Sequence, residues 1–363
     1  MPETLASLGE TELLHRLSRF APPGQLEDDA ALLLCPEGVE LVVNTDVFVE
    51  GVHFSDPTMN GHAVGWRVAA ANGSDLAAMG CSSCLGLTVG LVAPGHTPWP
   101  WVEQVYEGLA EALEVFGGEL LGGDCSGGLQ RILAVTAMGV IHSGKPIRRC
   151  DARPGDWLIC TGPHGLSRMG LALLQGELSG MAVPEPLQRL AIRCHQHPRP
   201  RWDVSQRLIR ARPPGCPWRV GGVDSSDGLL AALEALAASS SCRLIIQEQN
   251  LPIADLMAAF PQAKSWCVTG GEDFELILSL EPRWAQALIE LTRMEAIDQP
   301  DGPSACSHLG WVEALSAKGS GEAPEAGKIE VITASGGQSL REWVLQNSCQ
   351  EGSGNRPFNH FQD

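Results

Sequence analysis

Hydrophobic positions in this chain follow two rhythms, one helical and one extended. Between residues 8 and 20, Leu13, Leu14 and Leu17 recur at helical spacing among charged neighbours. Thr11 is placed to cap that helix, and Pro22-Pro23-Gly24 ends it. The run Leu41-Val42-Val43 reads as the end of a buried strand. Residues 61–80 read as a helix rich in small side chains (Ala69, Ala70, Ala71, Ala77, Ala78), which predicts close packing on a neighbour. Gly73 inside it costs the helix about 1 kcal/mol relative to Ala. A strand at 85–92 and a helix at 101–116, with Val102, Val105, Leu109 and Leu113 near one face, follow, then a strand at 131–141. The turn-rich stretch Asp151-Ala152-Arg153-Pro154-Gly155-Asp156 marks a boundary. Beyond it strand and helix alternate, with strands starting at Trp157 and Val220 and another at 276–280.

Acidic residues interrupt this pattern where apolar elements meet. Asn44 to Phe54, N-T-D-V-F-V-E-G-V-H-F, follows an apolar strand with Thr45, Asp46, Glu50 and His53. Asp28 and Asp29 lead into an apolar run, Asp75 stands among Ala and Met, and Asp124 follows Gly122-Gly123. Asp224 and Asp227 flank Ser225-Ser226 between a strand and a helix that either Ser226 or Asp227 could cap. Glu272-Asp273 precede the last strand. Each has an ordinary reading. Asp75 faces water or a metal. Gly122-Gly123-Asp124 is a tight turn or a place where backbone approaches a ligand. Gly162-Pro163-His164-Gly165 is a turn or a loop presenting N–H groups to phosphate. Together the acids suggest convergence on a cation-rich pocket. Carboxylates and hydroxyls without a Cys/His cluster select hard cations, Mg²⁺ first.

Composition narrows the choice. The 363 residues fit two domains, with 44% hydrophobic and 19% charged residues, an ordinary globular balance. A net charge of −18 opposes nucleic-acid binding, and it leaves any phosphate-bearing substrate in need of bridging cations. Of the 12 cysteines, only Cys81 and Cys84 have C-x-x-C spacing, and with no second pair they read as structural. The N-terminus lacks the pattern of a signal peptide, and no apolar run spans a bilayer; a cytoplasmic protein with no membrane contact is expected. No G-x-x-x-x-G-K-S/T sequence and no H-R-D catalytic loop is present. His15, His62, His142 and His164 read as surface or packing residues.

Taken in order, E-D-D-A-A, N-T-D-V-F-V-E-G-V-H-F, N-G-S-D-L-A-A-M-G, L-G-G-D, R-P-G-D, V-D-S-S-D-G-L, G-G-E-D-F-E-L and the terminal F-N-H-F resemble the thiamine-monophosphate kinases, within the superfamily of aminoimidazole ribonucleotide synthetase. The resemblance implies a two-domain α+β / α/β fold. An N-terminal mixed sheet with helices (1–149) pairs across a homodimer, a C-terminal α/β domain covers 150–335, and a tail (336–363) returns an aromatic residue to the site. It implies Mg²⁺-dependent transfer of the ATP γ-phosphoryl group to thiamine monophosphate. Carried over by position, Asp29, Asn44, Thr45, Asp46, Asp75, Asp124, Asp224 and Asp227 would hold metal. Gly123, Asp124, Arg149 and Ser226 would contact ATP, and His53, Glu272 and Phe358 the thiamine monophosphate. Asp46, Asp75, Asp124 and Arg149 would carry the catalytic burden by positioning and charge. A residue near Tyr106 is expected to touch the nucleotide. Two departures stand out: Leu26-Glu27 before Asp28, where the family has Gly-x-Gly, and Gly73 where an apolar residue is common. A sister ATP-dependent synthetase, or a Mg-nucleotide-binding protein with weak turnover, are the alternatives.

Overall fold

A computed structural model describes residues 3–22, 37–142, 144–298, 303–315 and 328–348. Asp28, Asp29 and the acid-rich run around them lie outside the described residues, as does Phe358. Two short helices open the chain, α1 (Leu5–Leu8) and α2 (Glu10–Leu17). Thr4 caps α1, and Gly9 rather than Thr11 stands at the start of α2, because the helix begins two residues earlier than the polar pattern suggests.

The first half is built on β1 (Val39–Val49), α3 (Gly61–Ala78), β2 (Ser83–Ala93), α4 (Trp99–Phe116), β3 (Glu119–Gly127) and β4 (Ile132–His142). Its four strands form one sheet in the order β1-β4-β2-β3, with only the β2–β3 pair parallel. Period-two alternation sends Leu133, Val135 and Ala137 of β4 into the core beneath α3 and α4. The small residues of α3 do what the sequence suggested. A Cβ at Gly65 would overlap the Val105 carbonyl of α4, and one at Gly108 would overlap the His62 carbonyl of α3. The two helices therefore cross at glycine-to-backbone contact, and α3 is buried along nearly its whole length. Cys81 and Cys84 are buried in this core, and burial pushes both thiols up, to about 12 and about 11.

The second half contains β5 (Trp157–Cys160), α5 (Leu166–Leu174), α6 (Glu185–Gln196), α7 (Asp203–Ala211), β6 (Gly221–Asp224), α8 (Leu229–Ser239), β7 (Arg243–Gln247), α9 (Ala263–Thr269), β8 (Leu276–Leu280), α10 (Pro282–Asp298), β9 (Ser307–Glu313), β10 (Ile329–Thr333), β11 (Gly336–Ser339) and α11 (Leu340–Ser348). Its seven strands run in the order β11-β10-β7-β9-β5-β8-β6. Strand and helix alternate along the chain, yet only β7 and β10 pair in parallel. Residues 336–348 pack with this sheet: β11 pairs with β10, and Leu340 and Trp343 are buried in its core. Among the described residues no helix is long and apolar enough to cross a membrane, and the ten described cysteines are free thiols.

The halves are joined through side chains. Trp66 Nε1 donates to the Pro198 carbonyl at 2.7 Å, Gln196 to the Thr58 carbonyl at 2.8 Å, and Phe274 is buried in the first core.

Candidate active site

A cleft of about 880 Å³ lies where the halves meet. One wall is β1 and the turn after it (Asp46, Phe48, His53, Phe54), with Asp75 of α3. The other is Asp224, Ser226 and Asp227 after β6, the loop Thr269 to Phe274, and Ser167 and His195.

Strand geometry decides which residues of β1 reach it. Asn44, Asp46 and Phe48 lie on the core-facing side, whereas Leu41, Val43, Thr45 and Val47 are exposed on the other. Asn44 donates to Asp75 Oδ2 at 2.9 Å and to Asn72 Oδ1 at 3.2 Å. Ser74 donates to Asp224 Oδ2 at 3.0 Å across the seam. These bonds hold Asp75 and Asp224, so Asn72 and Ser74, on either side of Gly73, are part of the mount. Gly73 itself turns toward Pro200 and Trp202 of the second half.

The carboxylates are short of positive charge. Burial, then the charges of Asp224 and Asp227, pushes Asp46 up to about 6. Burial, then Asp224 and Asp46, pushes Asp75 up to about 7, against the hydrogen bond from Asn44 and the charge of Arg149. Asp224 is raised as well, chiefly by burial, with hydrogen bonds from Ser74 and Ser226 and the charge of Arg149 opposing. Carboxylates crowded in this way are stabilised by a cation. Asn44 Oδ1 is buried without a hydrogen-bond partner, a further hard oxygen donor. Among the described residues no three acidic, His or Cys side chains converge tightly enough to form a complete metal cage. Carboxylate and amide oxygens are the donors that suit a hard divalent ion such as Mg²⁺.

Ser226 and Asp227 do not cap α8. That helix starts after Gly228 (φ +96°) with no side-chain cap, which leaves both side chains to the cleft. Arg149 is exposed on the short turn Arg149–Asp151, within electrostatic reach of Asp75 and Asp224. His53 lines the cleft, its Nδ1 accepting from the Val49 N–H at 3.0 Å and its ring tilted on Phe48. Arg131 braces this turn: it pairs with Glu50 and with Asp56 (2.8 Å), which flank His53, and stacks over Trp101 at 4.5 Å.

Other expected residues are not brought here. Gly122-Gly123-Asp124 is no turn; it lies inside β3, and a Cβ at Gly123 would overlap the backbone of Val89. Register places Asp46, Val135, Val89 and Gly123 in one row, with β1 and β3 at opposite edges of the sheet. Three strand spacings, about 14 Å, separate the two edges. Asp124 is exposed, and Gly123 and Asp124 do not line the cleft. Thr45 borders it, but its hydroxyl is on the outer face, 2.8 Å from that of Thr136. Tyr106 is buried in the first core against Phe20, with its hydroxyl bonded to Cys125.

The Gly162–Gly165 loop does not offer its donors to phosphate. The N–H groups of Gly165 and Ser167 already donate to the Asp273 carboxylate, at 2.7 and 3.0 Å. His164 is fully buried, with Nε2 2.8 Å from Ser225 Oγ.

The sequence reading passed over Arg67 and His195. Arg67 is wholly buried and pairs with Glu272 while donating to the His195 carbonyl at 3.1 Å. Its signal was present: in α3 the sole fixed charges are Arg67 and Asp75.

Residues 27–141 match the family model of the AIR synthase related protein N-terminal domain. A thiamine-monophosphate kinase of Prochlorococcus marinus is 47% identical over 79% of this chain and 86% of its own length. The crystal structure of thiamine-monophosphate kinase from Stenotrophomonas maltophilia superposes with a TM-score of 0.70 at 27% identity, over 91% of this chain and 98% of that one. A structure of AaThiL complexed with AMPPCP and TMP superposes with a TM-score of 0.65 at 25% identity, over 93% and 99% of the two chains.

Proposed function

The chain belongs to the thiamine-monophosphate kinase family of the AIR synthase-like superfamily, and from that premise we propose how its residues share the work. The protein is an ATP-dependent phosphotransferase: it moves the γ-phosphoryl group of ATP to thiamine monophosphate, giving thiamine diphosphate and ADP. The observation that carries the site assignment is the set of carboxylates, Asp224 buried and Asp46 and Asp75 partly buried, whose values are all raised, without enough internal cations.

The acceptor is a phosphate monoester and already a competent nucleophile. One of its oxygens attacks the γ-phosphorus, the bond to the bridging oxygen breaks, and ADP departs with that electron pair. No general base is required, so the protein's task is to align two polyanions. Asp46, Asp75, Asp224 and Asp227, with the Asn44 side-chain oxygen, would hold the cations, and Asp29, which lies outside the described residues, would be a further ligand. Mg²⁺, when bound, supplies the charge that lets the two phosphates approach. Arg149 adds fixed positive charge beside Asp75 and Asp224, and Ser226 contacts the nucleotide. His53 and Glu272 receive thiamine monophosphate, with Phe358 of the C-terminal segment stacking on it.

Leu41, Val43 and Val47 expose the apolar outer face of β1, and we assign it to a homodimer. Thr45, Gly123 and Asp124 serve the site across that pair, and the enzyme works in the cytoplasm. Mixing Asp75→Asn with Asp124→Asn protein tests the assignment: recovery of activity on subunit exchange supports it, and none opposes it.

The reaction is tested with Mg-ATP and either thiamine monophosphate or free thiamine, followed by separation of products. Thiamine diphosphate formed from the monophosphate alone is expected. Turnover of free thiamine, or none of the monophosphate, would overturn the reading.

A further inference from the structure

We propose that Arg67 is a positioning residue for the acceptor substrate: it sets the Glu272 carboxylate in the cleft. This rests on the reading of Glu272 as a thiamine monophosphate contact.

Arg67 has no exposed surface, an expensive place for a guanidinium unless its charge is met. It belongs to α3, but its ionic partner, Glu272, and its hydrogen-bond partner, the His195 carbonyl, belong to the second half. Nη1 also lies 3.2 and 3.1 Å from the two ring nitrogens of His195, whose Nδ1 is 3.1 Å from Ser167 Oγ. Burial, then Arg67 and Arg168, pushes that imidazole down to about 2, so His195 is a neutral neighbour and adds no second cation. The charge of Arg67 is thus met by Glu272, a side chain one-third exposed to the cleft.

The backbone around Glu272 explains why a clamp is needed. Glu272 (φ +68°) and Phe274 (φ +52°) are in the left-handed region, strained for side-chain-bearing residues. The loop is pinned at three other points: the Glu272 N–H donates to the Ser226 carbonyl at 2.7 Å, Asp273 fills the start of α5, and Phe274 is buried in the first core. Those anchors fix the backbone and leave the Glu272 side chain free to rotate. Arg67 engages Oε2 of that carboxylate.

Arg67 also precedes Asp75 by eight residues on one rigid helix, about 12 Å along its axis. α3 thereby spaces the metal-binding end of the cleft, at Asp75, from the acceptor end, at Glu272.

Steady-state kinetics of Arg67→Met, Arg67→Lys and Glu272→Gln, with circular dichroism as a check on folding, separate the possibilities. Arg67→Met is expected to raise KM for thiamine monophosphate tenfold or more while KM for ATP stays within twofold, and Arg67→Lys to recover part of the loss. In the Glu272→Gln background, replacing Arg67 by Lys should change that KM less than twofold. If Glu272→Gln raises KM for thiamine monophosphate but both Arg67 variants leave it within twofold, the positioning role is wrong and the Glu272 reading stands. If Glu272→Gln leaves it unchanged, the substrate reading itself fails. Should Arg67→Met not fold, Arg67→Lys decides: equal loss for both substrates would mark a merely structural residue.

Discussion

Two of the sets of buried acids in this molecule are treated in opposite ways. In the second half, Arg201 is buried and meets Asp203 with paired bonds of 3.0 Å and Glu275 at 2.7 Å. Arg207 also reaches Asp203, at 2.5 Å, and Glu295 at 2.7 Å. Burial alone would raise Asp203, but Arg201 and Arg207 hold it below the usual carboxylate range. At the cleft, Asp46 and Asp75 are partly buried, yet other acids outweigh the positive charge around them and both are raised. The first set neutralises itself and serves the fold. The second leaves a negative field that only something entering the cleft can balance. A count of acids would not separate them; the position of arginines does. The heptapeptide G-G-E-D-F-E-L supplies Glu275 to the balanced network and Glu272, itself paired with Arg67, to the cleft wall.

The sharpest break of this comparison is kinetic. Asp46→Asn and Asp75→Asn should each lower kcat by about 10²–10³-fold or more, while the metal-free proteins melt no lower than the parent at pH 8. Near-normal turnover in both would remove the functional half of the contrast. Arg201→Met should do the reverse to the balanced set. It leaves Asp203 and Glu275 buried and under-compensated, and urea unfolding should register a loss of about 3–5 kcal/mol. A loss below about 1 kcal/mol would make the network incidental.

Acidity distinguishes the two sets by sign. Asp46 and Asp75 have raised folded-state values, so their contribution to stability is full below the ordinary carboxylate range and is lost as pH rises through about 6 and about 7. Asp203 is lowered, so its contribution is present above the ordinary range and is lost only on stronger acidification. Melting in EDTA should therefore fall between pH 5 and 8, Asp75→Asn should flatten that fall, and added Mg²⁺ should offset it most at the alkaline end. A flat profile in the parent would contradict the assigned crowding. The smallest effect belongs to a surface pair. Arg341 meets Glu234 at 2.6 Å in solvent, and Arg341→Ala should change stability by less than about 1 kcal/mol. A larger change there would show that pairing alone, without burial, decides the outcome.

Much of the cleft was legible. Acids at the junctions of apolar elements marked Asp46, Asp75, Asp224 and Asp227, and all four line the cleft. Gly122-Gly123 misled: the local pattern of a turn and that of a strand tightly apposed to Val89 are alike in sequence. Ser226 and Asp227 resembled helix caps because cap residues and ligand residues are the same short polar types. The phosphate-loop reading of Gly162–Gly165 failed because its donors meet Asp273, more than 100 residues away.

By itself the sequence determined the local geometry. The two-residue period of β1 put Asn44 and Asp46 on one face, and the small residues of α3 required a helix packed at backbone contact; both follow from neighbours along the chain. The tertiary structure alone decided which acids would face each other and which would meet an arginine. Ser74 and Asp224 are 150 residues apart in sequence and 3.0 Å apart in space, and Arg67 reaches Glu272 from the other half of the molecule. Charge balance inside a protein depends on distance and burial, and neither is a property of position along the chain.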